Sequence, residues 1–378
     1  MDIIRLIATT DLMKLGLGLY RGLLTEDNFR FAQQAGVSHL VVHLVNYFAG
    51  TNPDVSSGPA AMGWGTTDGA GRPWAEQELR DIKRSIEAHG LTWEAIENFD
   101  PAHWHDILLD GPRKRQQMEG LKQTIRTIGR VGIPIMGYNF SLAGVWGWTK
   151  GPFGRGGAKS VRYDERAIDK DTPMPNGMVW NMIYDPDAPA GTVGPVSPEE
   201  LWQRYEWFLS EILPVAEEAG VRMALHPDDP PADTLRGTAR LVNQPQKYQR
   251  MLDLVPSPAS ALEFCLGSLA EMTDGDVYDA IEQYGRQGKI GYVHFRNVRG
   301  KVPYYQEVFV DEGDIDMLRV LRVLKDVGYD GVLIPDHTPE MSCDAPWHAG
   351  MAYALGYMRA ALQAVERMDV GAELPSLR

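Results

Sequence analysis

A chain of 378 residues with 44% hydrophobic and 23% charged residues has the composition of a globular protein, long enough for one large α/β barrel or two ordinary domains. A formal net charge of −14 argues against nucleic acid as a partner, because phosphates demand a basic footprint, although local arginine or lysine can still receive a small anion. The two cysteines, Cys265 and Cys343, exclude a disulfide framework, and no apolar run approaches the roughly 20 residues that a membrane-spanning helix needs.

The N-terminal stretch MDIIRLIATTDLM carries an early acid and no small-residue cleavage site, so it reads as mature sequence and a cytoplasmic enzyme is the expectation. Residues 15–20 (LGLGLY) read as a first strand, and Thr25 as the cap of a helix running to Gln34. Residues 39–44 (HLVVHL) form the second strand, followed by a Gly/Pro/Ser-rich loop over 50–73 on the side where an active site would lie. A helix over 74–88 leads to the third strand at 91–97 (LTWEAIE). The next helix, 113–131, follows a loop that holds His103 and His105, and the fourth strand is 133–139 (IPIMGYN).

Residues 140–197 are rich in Gly, Pro, Trp and Asp and too long for an ordinary strand–helix connection. They have too few periodic apolar positions for a core of their own, which predicts a lid or an oligomerisation arm rather than a second domain. Ser197, Pro198 and Glu200 then spell a helix start, and the helix runs to Ala219 with a kink expected at Pro214. Further helices near 245–254, 276–287 and 315–327 alternate with the remaining strands, and a last one covers 347–368. Eight strands alternating with helices predict a single-domain (β/α)8 TIM barrel with a long insertion after strand 4.

Four short β-prone runs in the second half end in residues that can bind a metal. RMALHPDDPP ends its apolar part at His226, where Pro227 cannot continue a ladder. SALEFC ends at Cys265, IGYVH at His294 and GVLIPD at Asp336. The four residues are spaced by roughly 30 to 40 positions, about one strand plus one crossover helix. Strand ends of a closed parallel barrel converge on its axis, so the four side chains are expected to meet. Two imidazoles, a thiolate and a carboxylate suit a first-row transition metal and not calcium or magnesium.

Other polar residues sit at the same strand mouths. Asp228 and Asp229 either orient a ligand imidazole or form a solvated turn. Arg296, in HFRNVRG, suits a carboxylate-bearing substrate because guanidinium pairs bidentately with carboxylate, and its alternative is a salt bridge to a neighbouring strand end. Arg296, Asn297 and Asn139 form the expected substrate-binding set. His337 is placed to transfer protons beside Asp336, and Tyr353, early in the last helix, is the second candidate for that task. His103 and His105 read as a loop surface, the GRGG run at 154–157 lacks the context of a phosphate loop, Trp146 and Trp148 read as lid packing, and Cys343 as a spectator.

In HPDDPP at 226–231, FCLGS at 264–268, HFRNV at 294–298, GDIDM at 313–317, PDH at 335–337 and YNF at 138–140, the chain resembles the mannonate dehydratase family of metal-dependent, xylose-isomerase-like barrels. The resemblance implies dehydration of D-mannonate to 2-keto-3-deoxy-D-gluconate with Mn²⁺ or Fe²⁺. It carries the metal ligands onto His226, Cys265, His294 and Asp336, and the catalytic histidine onto His337. Thr338 and Leu266 stand where the family usually has glycine and threonine. The competing expectations are a metal-dependent sugar isomerase or epimerase on the same barrel, and a non-catalytic sugar-acid-binding protein. A homo-oligomer acting on a small sugar acid, without nucleic acid or membrane, is the expected assembly.

Overall fold

The computed structural model describes residues 13–49, 65–67 and 73–368. The N-terminal reading over residues 1–12 and most of the loop over 50–73 lie outside the described residues. Eight parallel strands close into a barrel in chain order: β1 (Lys14–Tyr20), β2 (His39–His43), β3 (Thr92–Glu97), β4 (Ile135–Tyr138), β5 (Arg222–Leu225), β6 (Ser260–Cys265), β7 (Ile290–His294) and β8 (Val332–Ile334). β8 closes the ring against β1 through Lys14↔Val332 and Leu15↔Leu333.

Small side chains make that closure possible. A Cβ on Gly16 would stand 2.4 Å from Val332 Cγ1, so only glycine lets β1 approach β8 there. Inside the barrel, Val41, Ala95, Ile135, Ala224, Ala261, Tyr292, Val332 and Ile334 fill one buried layer. The larger aliphatic and aromatic side chains occupy the shell between strands and helices.

The helices begin and end where their local chemistry directs. Thr25 accepts from Asn28 N at the start of α1 (Glu26–Gln34). Ser197 and Glu200 form a complete capping box at the start of the helix Pro198–Ala219, which continues through Pro214 and stops at Gly220 with φ 68°. The reading of His103 and His105 as a loop surface is corrected. Asp100 caps a helix Pro101–Leu109 through Ala102 N, with Pro101 at its first position, and both histidines are buried. His105 stacks on Tyr184 at 3.9 Å and meets Arg113 Nη2 at 2.7 Å.

A second layer lies over the C-terminal ends of the barrel strands. Strands Trp148–Gly151 and Ser160–Asp164 come from the long connection after β4, and the hairpin Asn297–Lys301/Tyr304–Val308 directly follows β7. They form one four-stranded antiparallel sheet, joined between the two chain regions at Tyr305↔Tyr163. Val145, Trp148, Val161, Tyr163 and Tyr305 give this cap its own small core. No helix among the described residues is long and apolar enough to cross a membrane.

Candidate metal centre and active site

Beneath the cap sheet, the barrel mouth opens into a cavity of about 350 Å³. Its lining takes Tyr20, His43, Glu97, Asn139, His226, Glu263, His294, Arg296, Asp336 and His337 from the barrel side. From the connection after β4 it takes Trp148, Lys150, Lys159, Ser160, Val161 and Trp180.

Each of the four metal-ligand candidates is placed by the end of its strand. The β5 ladder ends at Leu225, but His226 N still donates to the Tyr138 carbonyl at 2.9 Å, so the residue stays at the rim. Its Nδ1 lies 2.5 Å from the Pro227 carbonyl oxygen, which assigns the proton to Nδ1 and leaves Nε2 as the nitrogen able to bind a metal. Cys265 and His294 are the paired last residues of β6 and β7. Ligand atoms of His226, Cys265 and His294 all lie within 4.8 Å of one another. Asp336 Oδ2 stands 3.2 Å from His294 Nδ1. Asp336 adopts φ 53°, a left-handed conformation that costs a non-glycine residue about 1–3 kcal/mol and that persists where surrounding structure enforces it.

The electrostatics match a site built to lose protons to a cation. Burial pushes the Cys265 thiol up, but Arg296 and the two imidazoles outweigh it and hold the thiol well below its ordinary range. Burial pulls His226 down, while its hydrogen bond and charge contact with Cys265 bring it up to about 9. His294 is raised against burial by Asp336 and Glu97. These shifts favour a thiolate beside protonated imidazoles, and a divalent ion held there would take the place of those protons. His294 Nδ1 is buried with no hydrogen-bond partner, as expected of a ligand atom. The donor set therefore fits a first-row transition metal.

His337 lies on the cavity wall with 30% of its side chain exposed. Its Nδ1 meets Glu307 Oε1 at 3.0 Å, and its Nε2 is 3.4 Å from Asp336 Oδ1. Trp148 packs edge-on against the ring at 5.4 Å. Burial lowers its pKa, but the Asp336 and Glu307 carboxylates prevail and raise it to about 9.

The remaining predicted site residues divide. Asn139 is on the cavity wall. Asn297 is not: its amide donates to the Val310 and Ile315 carbonyls at 3.0 Å each and ties the hairpin to the loop before the next helix. Arg296 reaches the cavity, but its guanidinium is committed to acids. Nη2 binds Asp229, Nη1 lies 2.9 Å from Glu271 and 3.3 Å from Glu307, and Nε lies 3.3 Å from Asp336. The salt-bridge alternative is therefore the structural one, and Arg296 organises the acids around the ligands. Neither Asp228 nor Asp229 is solvated. Asp228 Oδ2 accepts from Leu241 N and Val242 N, while Asp229 accepts from Tyr305, Trp148, Ser268 and Arg296.

Tyr353 is absent from the cavity lining. Its hydroxyl accepts from Arg155 Nη2 at 3.3 Å, and its ring packs on Phe309 at 5.5 Å. Tyr353→Phe is accordingly expected to leave kcat and KM within about twofold of the parent, since surface substitutions shift free energies by roughly ±0.5 kcal/mol. A fall of a hundredfold in kcat in steady-state assay would return the phenol to the reaction.

Several cavity residues escaped the sequence reading. Tyr20, His43 and Glu97 are the last residues of β1, β2 and β3, so the strand-end rule applied to the second half of the chain would have found them in the first. Glu263 lies two positions before Cys265 on the same face of β6, within hydrogen-bond range of His294. Burial raises Glu263 well above the ordinary carboxylate range, with Glu97 adding to it. Glu97 itself, against burial, is brought down to about 2 by His43 and His294.

Comparison with known proteins reaches the same place. The family profile described as D-mannonate dehydratase matches residues 54–371. A protein named mannonate dehydratase 2 from Halalkalibacterium halodurans is 32% identical over 279 residues, covering 71% of this chain and 79% of that one. Mannonate dehydratase from Thermotoga maritima is 30% identical over 288 residues, covering 71% and 78%. The crystal structure of mannonate dehydratase from Streptococcus suis serotype 2 superposes with a TM-score of 0.74 at 26% identity, over 97% of this chain and 99% of that one. An L-ribulose 3-epimerase structure superposes with a TM-score of 0.54 at 15% identity, which is a likeness of fold alone.

Proposed function

The chain belongs to the D-mannonate dehydratase family, and from that premise we propose that it holds Mn²⁺ or Fe²⁺ through His226, Cys265, His294 and Asp336 and eliminates water from D-mannonate to give 2-keto-3-deoxy-D-gluconate. The observation that carries this reading is that His226, His294, Asp336 and His337 line one cavity, with the buried Cys265 sulfur within 4.8 Å of ligand atoms of both imidazoles. When bound, the divalent ion supplies Lewis acidity that makes the C2 proton of an aldonate easier to remove.

The elimination then needs two proton transfers. The C2–H bond breaks and its electron pair forms the C2=C3 double bond. The C3–O bond breaks, and the hydroxyl leaves with one proton as water. The enol next gains a proton at C3 and loses one from the C2 oxygen to become the ketone. His337 is the group we assign to proton transfer at the substrate: Glu307 takes Nδ1, so Nε2 is the nitrogen that works. The Asn139 amide offers hydrogen bonds to a substrate hydroxyl from the cavity wall. Residues 140–197 serve as a cover that excludes water from the reaction, supported by Trp148 and Trp180 in the lining.

An anionic substrate needs a cation in a cavity dominated by carboxylates. Arg296 is committed to acids and Lys150 pairs with Glu340, whereas Lys159, exposed on the wall, has no acid partner among the described residues. Lys159→Ala is expected to raise KM for the acid about tenfold with kcat little changed, the loss of one charge-assisted contact, and Lys159→Arg to retain most of the affinity. Unchanged KM and unchanged salt dependence in the alanine variant would remove Lys159 from substrate capture.

The function is tested by reconstituting the protein with Mn²⁺ or Fe²⁺ and offering a panel of aldonic acids and neutral ketoses. Formation of a 2-keto-3-deoxy acid from D-mannonate is the expected result. Turnover of ketoses alone would move the protein to the isomerase or epimerase reading, and no turnover of any kind to the binding-protein reading.

A further inference from the structure

The ring of His294 is held between acids on both of its nitrogens. Nδ1 faces Asp336 Oδ2 at 3.2 Å, while Nε2 lies 3.2 Å from Glu97 Oε2 and 3.3 Å from Glu263 Oε1. An imidazole that binds a metal through one nitrogen presents N–H at the other, and what accepts that N–H fixes the tautomer and the ring plane. From this geometry we propose that Glu97 and Glu263 are positioning residues for the metal centre: they accept the Nε2–H of His294 and so direct Nδ1 to the ion shared with His226, Cys265 and Asp336. The inference rests on the metal reading above and adds residues that lie outside its ligand set.

Three observations support it. Both carboxylates are almost wholly buried, at 4% and 1% exposure, where an acid is retained only with partners. Their other contacts hold them in place: Tyr292 donates to Glu97 Oε2 at 3.2 Å, and His43 Nε2 is 3.7 Å from Glu97 Oε1. The fold also reserves their space, because a Cβ on Gly137 of β4 would stand 2.4 Å from Glu263 Oε2 and 2.2 Å from the Tyr292 hydroxyl.

A rival arrangement surrounds the same ring. Ligand atoms of Glu97, Glu263 and His294 also lie within 4.8 Å of one another, so the two acids could themselves hold the ion through His294 Nε2. The sulfur-containing cluster is preferred because Asp336 adds a fourth donor on the Nδ1 side, and because His294 Nδ1 is the ring nitrogen left without a hydrogen bond.

Cobalt(II) titration of the metal-free full chain separates the two, because a thiolate ligand gives a near-ultraviolet charge-transfer band. Glu97→Gln and Glu263→Gln preserve side-chain shape and replace a carboxyl group with an amide. Each is expected to keep the charge-transfer band and the melting temperature of the metal-free protein, while the Kd for cobalt rises about 10- to 100-fold. Cys265→Ser is expected to lose the band. Parent-like Kd in both glutamine variants would overturn the proposal, as would a metal-free melting temperature that falls in step with affinity. Metal binding lost in the glutamine variants but retained in Cys265→Ser would make the acids the ligands. If the parent protein itself binds no cobalt, the metal reading fails before the question of positioning arises.

Discussion

Alanine in place of His226 or Cys265 is expected to reduce bound transition metal from about one ion per chain to nearly none, and dehydratase activity with it. Each substitution removes one donor from a group whose ligand atoms already lie within 4.8 Å of one another. Structural effects should be modest by comparison. His226 sits at the rim, past the last ladder residue of β5, and its imidazole meets its own loop, Cys265 and the His294 ring at 5.3 Å. Cys265 is fully buried, and its sulfur accepts from Ser268 N at 3.5 Å, so the alanine leaves a cavity about one sulfur in size. The two variants should therefore melt as cooperatively as the metal-free parent while failing to be stabilised by added metal, since an ion that binds only the native state raises stability by mass action. Elemental analysis and melting with and without Mn²⁺ decide the matter. Full metal content in both variants would mean that these strand ends are not the ligands.

The strand ends also show how far the residue pattern alone reaches. β6 and β7 have the predicted bounds, 260–265 and 290–294, because both are short β-prone runs closed by a change of chain direction. β8 ends at Ile334, two residues short of the predicted span, since the left-handed backbone at Asp336 takes the chain out of the ladder while aiming the carboxylate at His294. The cap sheet was not legible. Its strands are four or five residues long, and the pairing Tyr305↔Tyr163 joins segments separated by three barrel strands, β5 to β7, and their helices. His103 and His105 lie in a helix and not in a loop because Asp100 and Pro101 spell a helix start, which a run of mixed histidine, tryptophan and aspartate disguises. The acids around Arg296 were beyond the sequence for a different reason: Asp229, Glu271, Glu307 and Asp336 come from four separate segments, and only the fold brings them to one guanidinium.

That cluster gives Arg296 a function other than gripping substrate. It links Asp229, which also accepts from Trp148 and Tyr305 of the cap and from Ser268, to Asp336 beside His294. A buried cation among four acids is retained only because each acid would otherwise be left unpaired, a loss of about 3–5 kcal/mol when such a pair is broken. The cap sheet is thereby tied to the barrel mouth by charge as well as by packing. Glu307, on the hairpin that follows β7, shares this link by facing both Arg296 and His337.

His337→Asn should separate proton transfer from metal binding. The expected outcome is full metal content, a native melting curve and a kcat lower by about 10²-fold or more, the usual loss when a general acid or base is removed. Asparagine retains a polar group of similar reach, and His337 Nδ1 has Glu307 as its partner, so the ligands need not move. The neighbouring substitution should fail differently. Asp336→Asn removes a charge that His294 Nδ1, Arg296 Nε and His337 Nε2 all face, at 3.2, 3.3 and 3.4 Å, so metal affinity and stability should decline together. Substrate affinity in His337→Asn should stay near that of the parent, because Lys159 and the metal site are untouched. The readouts are metal content by elemental analysis and steady-state production of the 2-keto-3-deoxy acid from D-mannonate at saturating Mn²⁺. Loss of metal from His337→Asn would make the imidazole a ligand and reverse the division between the two residues. Full activity in that variant would send the proton transfer to another cavity group, with the Tyr20 hydroxyl at the end of β1 the next to substitute.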